Sequence, residues 1–360
     1  MPWAGHARST WAGLECLPRS VEPFAWFPGT LATGLTDLGD DLAVLDRGGF
    51  WAVAISFEGQ VRVARFAHRE PASAPPVGRW PGVPVDAWVS SMSEQQYVEA
   101  VADIRCRISA GEVYQVNLCR RLTAPWPGPG PNPASIAGLG GVLAAHHPAP
   151  QAAAVVVPGL ALVSASPELC LARVGDTVTS RPIKGTARRA DELLAKDTDE
   201  NVMIVDLVRN DLAVVCQPGT VATPGLCELE RHPGLVHLVS TVTGRLRPGV
   251  GWAELATAVL PAGSVSGAPR HTALAAISDL EPTPRGPYCG VLGWVDADRA
   301  QARLAVAIRT FWASPDGALC FGTGAGITWG SDPQAEWAET ELKAERLLAV
   351  AAMSSGEVAA

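Results

Sequence analysis

Lys184 has the sequence setting that most suggests chemistry. It stands in Arg181-Pro182-Ile183-Lys184-Gly185-Thr186, after a strand-like segment and ahead of two small residues that let a ligand approach the backbone. An amine is a nucleophile only once it has lost its proton, which desolvation and a neighbouring acid–base group can arrange. Ser166-Pro167-Glu168, in another apolar stretch, is expected close by in the sheet and would supply that group. The same pairing fits a plain ion pair, and the pattern leaves both readings open.

Carboxylates on two helical segments come next. In Asp197-Thr198-Asp199-Glu200-Asn201-Val202-Met203-Ile204-Val205-Asp206-Leu207, helical spacing puts Glu200 on one face with Met203, Ile204, Leu207 and Val208. Its carboxylate therefore points inward and requires a base or a metal as partner, and Asp197 sits one turn before it. Asp332-Pro333 is a good helix start, and Glu336, Glu339, Thr340 and Lys343 share one stripe after it. Each pair alone fits an ordinary salt-bridged or helix-start acid. Together they would suit Mg²⁺, which takes oxygen ligands, keeps waters and is often held by one or two carboxylates plus the substrate.

An anion site is the third element. Gly322-Thr323-Gly324-Ala325-Gly326 lacks dinucleotide-loop spacing and runs on to Thr328-Trp329-Gly330 rather than into a helix. It reads as a strand end whose amides could bind a carboxylate, or as a glycine bulge. Arg309, after the apolar strand Leu304 to Ile308, could clamp the same anion or serve structure alone.

The elements needed to position these groups follow from periodicity. Short apolar runs up to about Arg69, among them Leu42 to Leu45 and Phe50 to Ile55, suggest β-structure, and a linker rich in Pro and Gly follows from Glu70 to about Asp86. Ser93-Glu94-Gln95-Gln96 is a capping box, with Tyr97, Val101, Ile104 and Ile108 along one face until Gly111. Glu112 to Leu122 alternates as a strand, and Ala134 to His147 looks helical. Strands dominate from Ala152 to Ile183, a helix spans about Glu200 to Leu212, and a final helix starts near Pro333. Strands and helices without regular βαβ alternation point to an α+β fold. Residues 1–88 read as a β-rich N-terminal segment interwoven with a catalytic unit at 89–350, and 351–360 as a flexible tail.

Composition bounds the function. The 360 residues carry a formal charge of −8 and no visible Lys/Arg cluster, which argues against a nucleic-acid surface and for a small-molecule partner. The run Ala152 to Ala165 is too short to span a membrane and is broken by Pro158-Gly159, so it reads as two buried strands and a turn. No secretory leader is legible at Met1, and the 8 cysteines lack metal-site spacing. The expectation is a cytoplasmic protein with reduced thiols.

The ordered segments resemble one family, the chorismate-utilising enzymes, and within it most closely the aminodeoxychorismate synthase component I branch. The resemblance runs from about Ser93 to Leu348. It rests on Gly111 to Leu118, Ser166-Pro167-Glu168, Pro182 to Thr186, Glu200 to Asp211, Val236 to Ser240, Gly263 to Pro269, Tyr288-Cys289-Gly290, Ile308-Arg309-Thr310, Gly324 to Ile327 and the closing acidic helix. It implies two large antiparallel sheets packed together with helices outside. It also implies that Glu200 and Glu339 hold Mg²⁺ against the ring carboxylate of chorismate, with Asp197 and Glu336 acting through water. Tyr288, Arg309 and the amides of Gly324, Ala325 and Gly326 would hold the enolpyruvyl carboxylate. Gly185, Thr186, Ser266 and Lys343 would complete the pocket, and His237 would polarise the substrate near its leaving group.

Lys184 is similar to the mark of the aminodeoxychorismate branch, where anthranilate- and isochorismate-type members generally carry alanine. The resemblance implies attack by Lys184 on ring C2, loss of the 4-hydroxyl with Glu168 as acid–base group, and replacement by ammonia at C4. Water-using relatives carry a lysine base at the place of Gln115, so the glutamine fits ammonia instead. Ammonia would come from a separate glutamine amidotransferase subunit, since no glutaminase nucleophile motif is legible. Anthranilate synthase component I, or a chorismate-binding partner without catalysis, are the alternatives. Ser266, Arg270 and Trp337 depart from the residues usual in the family.

Overall fold

The computed structural model describes residues 22–128, 133–187, 189–193, 195–232 and 235–356. Six α-helices are found within them: α1 (Glu94–Ser109), α2 (Pro133–His146), α3 (Ala195–Val215), α4 (Trp252–Val259), α5 (Arg270–Leu280) and α6 (Pro333–Ala352). They lie against 18 strands that join in a single curled sheet, and every ladder among the described residues is antiparallel. The α+β class is as expected. The two expected sheets run into one another through shared strands.

Both faces of this sheet are buried. In the strand Gln151–Val157, Ala153, Val155 and Val157 belong to one apolar cluster while Ala154 and Val156 belong to another. That is why the segment reads as a continuous apolar run rather than an alternation. Its partner Leu160–Ser166 is reached through Pro158-Gly159, where Gly159 takes a φ of +81°.

Local chemistry sets the helix starts. Ser93 Oγ accepts from Gln96 N at 3.2 Å while Gln96 Oε1 accepts from Ser93 N at 2.8 Å, closing the capping box. Asp332 accepts from Ala335 N at 2.9 Å, with Pro333 at the first helical position. α3 begins five residues before Glu200, earlier than its apolar face suggests, because its first turns are polar.

Two expectations change. Leu42 to Leu45 is part of a 3-10 helix, Leu42–Asp46, rather than a strand. Asp41 accepts from Ala43 N at 2.9 Å, and this local cap outweighs the apolar run. The Pro- and Gly-rich linker is packed: Trp80 is 1% exposed and donates from Nε1 to Ala351 O at 2.8 Å. Ser355 Oγ also accepts from Trp80 N at 2.9 Å, so residues 351 and 355 are held by the linker.

Strand pairing unites distant parts of the chain. Phe50–Ile55 pairs in register with Val291–Asp296, and Gln115–Pro125 pairs along its length with Ala318–Ile327. The strand Ile183–Ala187 pairs with Leu235–Arg245, but its register shifts between Ile183 and Thr186. This bulge contains Lys184 and Gly185.

Candidate active site

A cleft of about 570 Å³ opens where these strands meet α3 and α6. The bulge re-aims Lys184 out of regular strand alternation and into the cleft. Gly185 makes it possible. Its φ is +81°, and a Cβ there would stand 2.8 Å from Asp197 Cβ, so glycine serves both the bulge and the approach of α3.

Lys184 and Glu168 meet at Ser264. Lys184 Nζ donates to Ser264 O at 3.3 Å, and Ser264 Oγ donates to Glu168 Oε1 at 2.7 Å. Glu168 is 5% exposed. Burial pushes its carboxyl above the ordinary range, against the opposing pull of Ser264, Lys184 and the Ile183 backbone. Burial likewise lowers Lys184, although Glu200 and Glu168 favour its charged form. A carboxyl of raised proton affinity beside an amine of lowered proton affinity is the arrangement an acid–base-assisted nucleophile needs.

One end of the cleft is acidic. Asp197 and Glu200 on α3 face Glu336 and Glu339 on α6 across the cavity. Each helix is pinned beside its acids. Asn201 is fully buried, donates to Leu238 O at 3.0 Å and accepts from Ser240 Oγ, which fixes α3 to the Leu235–Arg245 strand. Thr340, also fully buried, accepts from Arg120 Nε at 3.0 Å, and its carbonyl accepts from Thr323 Oγ1 at 2.9 Å. Burial raises Glu200, with Asp197 and Glu339 adding repulsion against Lys184 and Lys196. Burial also raises Glu336. For Glu339 burial acts upward too, but Lys343, Lys196 and Lys184 outweigh it and hold the carboxyl below its ordinary value. Lys343 Nζ lies 2.6 Å from Glu339 Oε1 and 3.1 Å from Gly324 O.

Among the described residues no three acidic, imidazole or thiol groups converge tightly enough to chelate a cation unaided. Four carboxylates sharing one cleft wall, with two held above their ordinary range, nevertheless fit a cation completed by water and substrate oxygens. That is the habit of Mg²⁺.

The other end is cationic. Arg309 is half-buried, carries a φ of +52° and has no ion pair among the described residues. Burial and Arg346 both lower its proton affinity. His147 senses the same charges: burial, Arg309 and Arg346 lower its pKa to about 4. Tyr288 is flat against Gly322, where any Cβ would collide with its ring. Burial and the adjacent Cys289 raise its phenol well above the ordinary value. A left-handed arginine and an uncompensated positive end mark a place for an anion.

Most of the residues singled out from sequence line this cleft: Lys184, Glu168, Gly185, Asp197, Glu200, His237, Tyr288, Arg309, Gly324, Gly326, Glu336, Glu339 and Lys343. Three of the described side chains stand elsewhere. Ser266 is fully buried and donates to Ala262 O at 2.9 Å, and the hydroxyl that reaches the cleft from that turn is Ser264. Ala325 is fully buried on the opposite face of its strand, as alternation between Gly324 and Gly326 demands. Gln115 is fully buried beneath Gly326, with its amide and Lys184 Nζ both near the place a Cβ there would take, and it is not among the residues lining the cleft. Thr186 pairs with His237, and its side chain lies outside the described residues. Sequence reasoning missed Ser264, Lys196 and Asn117. Asn117 is on the same strand face as Gln115, a signal that alternation from Gln115 could have supplied.

The chain has relatives among known proteins. The chain is 38% identical over 310 residues to anthranilate synthase component 1 of Streptomyces coelicolor, covering 80% of this chain and 58% of that protein. It is 36% identical over 299 residues to aminodeoxychorismate synthase component 1 of Klebsiella aerogenes, covering 79% and 64%. The chain thus spans about six tenths of the length of these relatives. Its fold matches that of MenF, the menaquinone-specific isochorismate synthase from Escherichia coli, with a TM-score of 0.74 at 18% identity over 96% of this chain and 92% of that one. The model of the chorismate binding enzyme family matches residues 59–349, and the chain belongs to that family.

Proposed function

We propose that the protein replaces the 4-hydroxyl of chorismate with ammonia, giving 4-amino-4-deoxychorismate through a covalent bond to Lys184. The observation that carries this reading is the Lys184–Ser264–Glu168 bridge, a desolvated amine joined to a buried carboxyl between an anionic and a cationic end. Chorismate has two carboxylates. One would be met by Arg309 and Tyr288, the other at the acidic end. There Glu200 and Glu339, with Asp197 and Glu336 through water, would hold a Mg²⁺ whose charge neutralises the ring carboxylate.

The residues then act in order. Glu168 takes a proton from the Lys184 ammonium, and the free amine attacks ring C2. Both ring double bonds shift, the C4–O bond breaks, and Glu168 returns its proton so that the hydroxyl leaves as water. Ammonia attacks C4, both double bonds shift back, and the C2–N bond breaks to release Lys184 as an amine. The product keeps all three ammonia hydrogens as an ammonium, so each turnover consumes one proton. His237 lies in the cleft wall and would polarise the leaving-group side. Gln115, buried beneath Gly326, presents no base for water. Ammonia would be delivered by a separate glutamine amidotransferase subunit.

The Streptomyces coelicolor relative favours a second reading, formation of anthranilate and pyruvate. One assay separates the two: chorismate, Mg²⁺ and ammonium are incubated with the protein and the product is identified by mass. Aminodeoxychorismate is the expected product. Anthranilate with stoichiometric pyruvate would replace this assignment with the other, and no turnover would leave a protein that binds without catalysing.

A further inference from the structure

Glu168 lines two cavities. The front one is the cleft, and the other, termed the rear one, is a small space of about 20 Å³ whose lining shares only Glu168 and Ser264 with the cleft. Glu168 and Ser264 are in the walls of both. The rear cavity is also lined by Ser180, Cys170 and a second buried carboxylate, Asp211 of α3. About 10–15 Å³ admits one water, and a water needs two or more polar partners, which this lining provides. Much of its wall is apolar, with Leu171, Val208, Leu212, Val259 and Val306, but two carboxylates and two serines in the lining offer a water its partners.

Asp211 leads outward. Its side chain is 11% exposed and accepts from Arg270 Nη2, and the Arg270 side chain is 25% exposed. Arg270 also donates to Ala258 O at 3.2 Å, which holds the pair at the outer edge. Burial, with Glu168 and Asp211 as negative neighbours, raises the Cys170 thiol to about 12. The charged groups around this path are Lys184 and Arg309 at Glu168 and Arg270 at Asp211.

We propose that a water molecule in the rear cavity links Glu168 to Asp211, and that this path returns a proton to Glu168 while substrate fills the front cleft. The inference rests on the amination chemistry above. Once the hydroxyl has left as water, Glu168 is without its proton and the covalent adduct blocks the front. A proton then passes from Asp211 to the water as the water gives one to Glu168, and Asp211 recovers its own from solvent beside Arg270. No electrons move. Burial pushes the Asp211 carboxyl up to about 6, so it can hold and release a proton near neutral pH. Asp211 is a positioning and relay residue, acting only through Glu168.

The test has two arms. A high-resolution crystal structure of the unliganded protein should show an ordered water within hydrogen-bond distance of both carboxylates, and a dry rear cavity would overturn the relay whatever the product. In turnover, Asp211→Asn should lower kcat by about tenfold with an unchanged KM for chorismate, and should increase the solvent deuterium isotope effect on kcat as proton return becomes limiting. Ser180→Val, which takes up cavity volume while leaving both carboxylates in the sequence, should act in the same direction. If Asp211→Asn keeps the wild-type kcat and isotope effect, the relay is refuted. If it loses activity with a changed KM and no isotope effect, Asp211 is a structural partner of Arg270 only. Failure of the wild type to aminate chorismate instead removes the reading on which the relay rests, and the product assay shows it.

Discussion

The two ends of the cleft treat protons in opposite ways. At one end Arg309 is half-buried in the cleft wall, with His147 and Arg346 near enough to act on it though not among the lining residues, and burial makes both Arg309 and His147 less willing to carry a positive charge. At the other, Glu200 and Glu336 are buried beside further acids, and burial makes both less willing to carry a negative one. The charges that burial disfavours have opposite sign at the two ends, and the lysines beside the acids and Glu168 beside Arg309 offset them only in part. A ligand satisfying both must bring an anion to one end and a cation to the other, and a dicarboxylate travelling with a divalent metal does so.

Lys184 sits between the ends, so its removal is the strongest blow to this picture. Lys184→Ala should lower amination by at least about 10³-fold and abolish a mass increase on the peptide containing residue 184 in a stalled reaction. Normal product formation by that variant would mean the two ends alone suffice. Arg309→Met attacks the cationic end. It should raise KM for chorismate by about 10²-fold while leaving Mg²⁺ affinity nearly unaltered, and steady-state kinetics at several Mg²⁺ levels would show an equal loss of both if the ends were not distinct.

Glu200→Gln and Glu339→Gln attack the acidic end. Each should weaken the Mg²⁺ dependence of turnover by about 10- to 100-fold with little change in melting temperature. A large fall in melting temperature at unchanged Mg²⁺ dependence would recast these acids as structural. The smallest effect concerns His147. Its pKa is lowered from 6.5 to about 4, so its contribution to stability is fully present above pH 6.5 and is lost as pH falls through about 4. That loss amounts to at most ~3 kcal/mol. His147→Gln should flatten the stability–pH curve over this window in denaturant titrations, and an unchanged slope would remove His147 from the cationic end.

The sequence makes the cleft's charged side chains legible because their neighbours are periodic. Glu200 belongs to an apolar helical face, and Glu336 and Glu339 follow a recognisable Asp332-Pro333 start. What was not legible depends on irregular backbone. Ser264 and Ser266 sit in one short 3-10 turn and its cap, where no period says which hydroxyl faces the cleft. Lys196 precedes the apolar part of α3, so nothing in its neighbours marks it as helical. Gln115 was legible as a strand residue, but its burial beneath Gly326 depends on a partner strand some two hundred residues away in sequence. The short run at Leu42 carries equal signal for strand and helix, and only the Asp41 cap decides it.

The irregularity between Ile183 and Thr186 has a consequence for how such an enzyme can be altered. The direction of the amine is set by a local count of residues, whereas the framework is set by the ladder to Leu235–Arg245 on either side of it. Removing one residue from the bulge would restore ordinary alternation and swing residue 184 away from the cleft while the neighbouring strand kept its partner. The direction of the side chain and the framework are thus separately adjustable at this point, and a redesign could retire or relocate the amine without rebuilding the sheet that carries it.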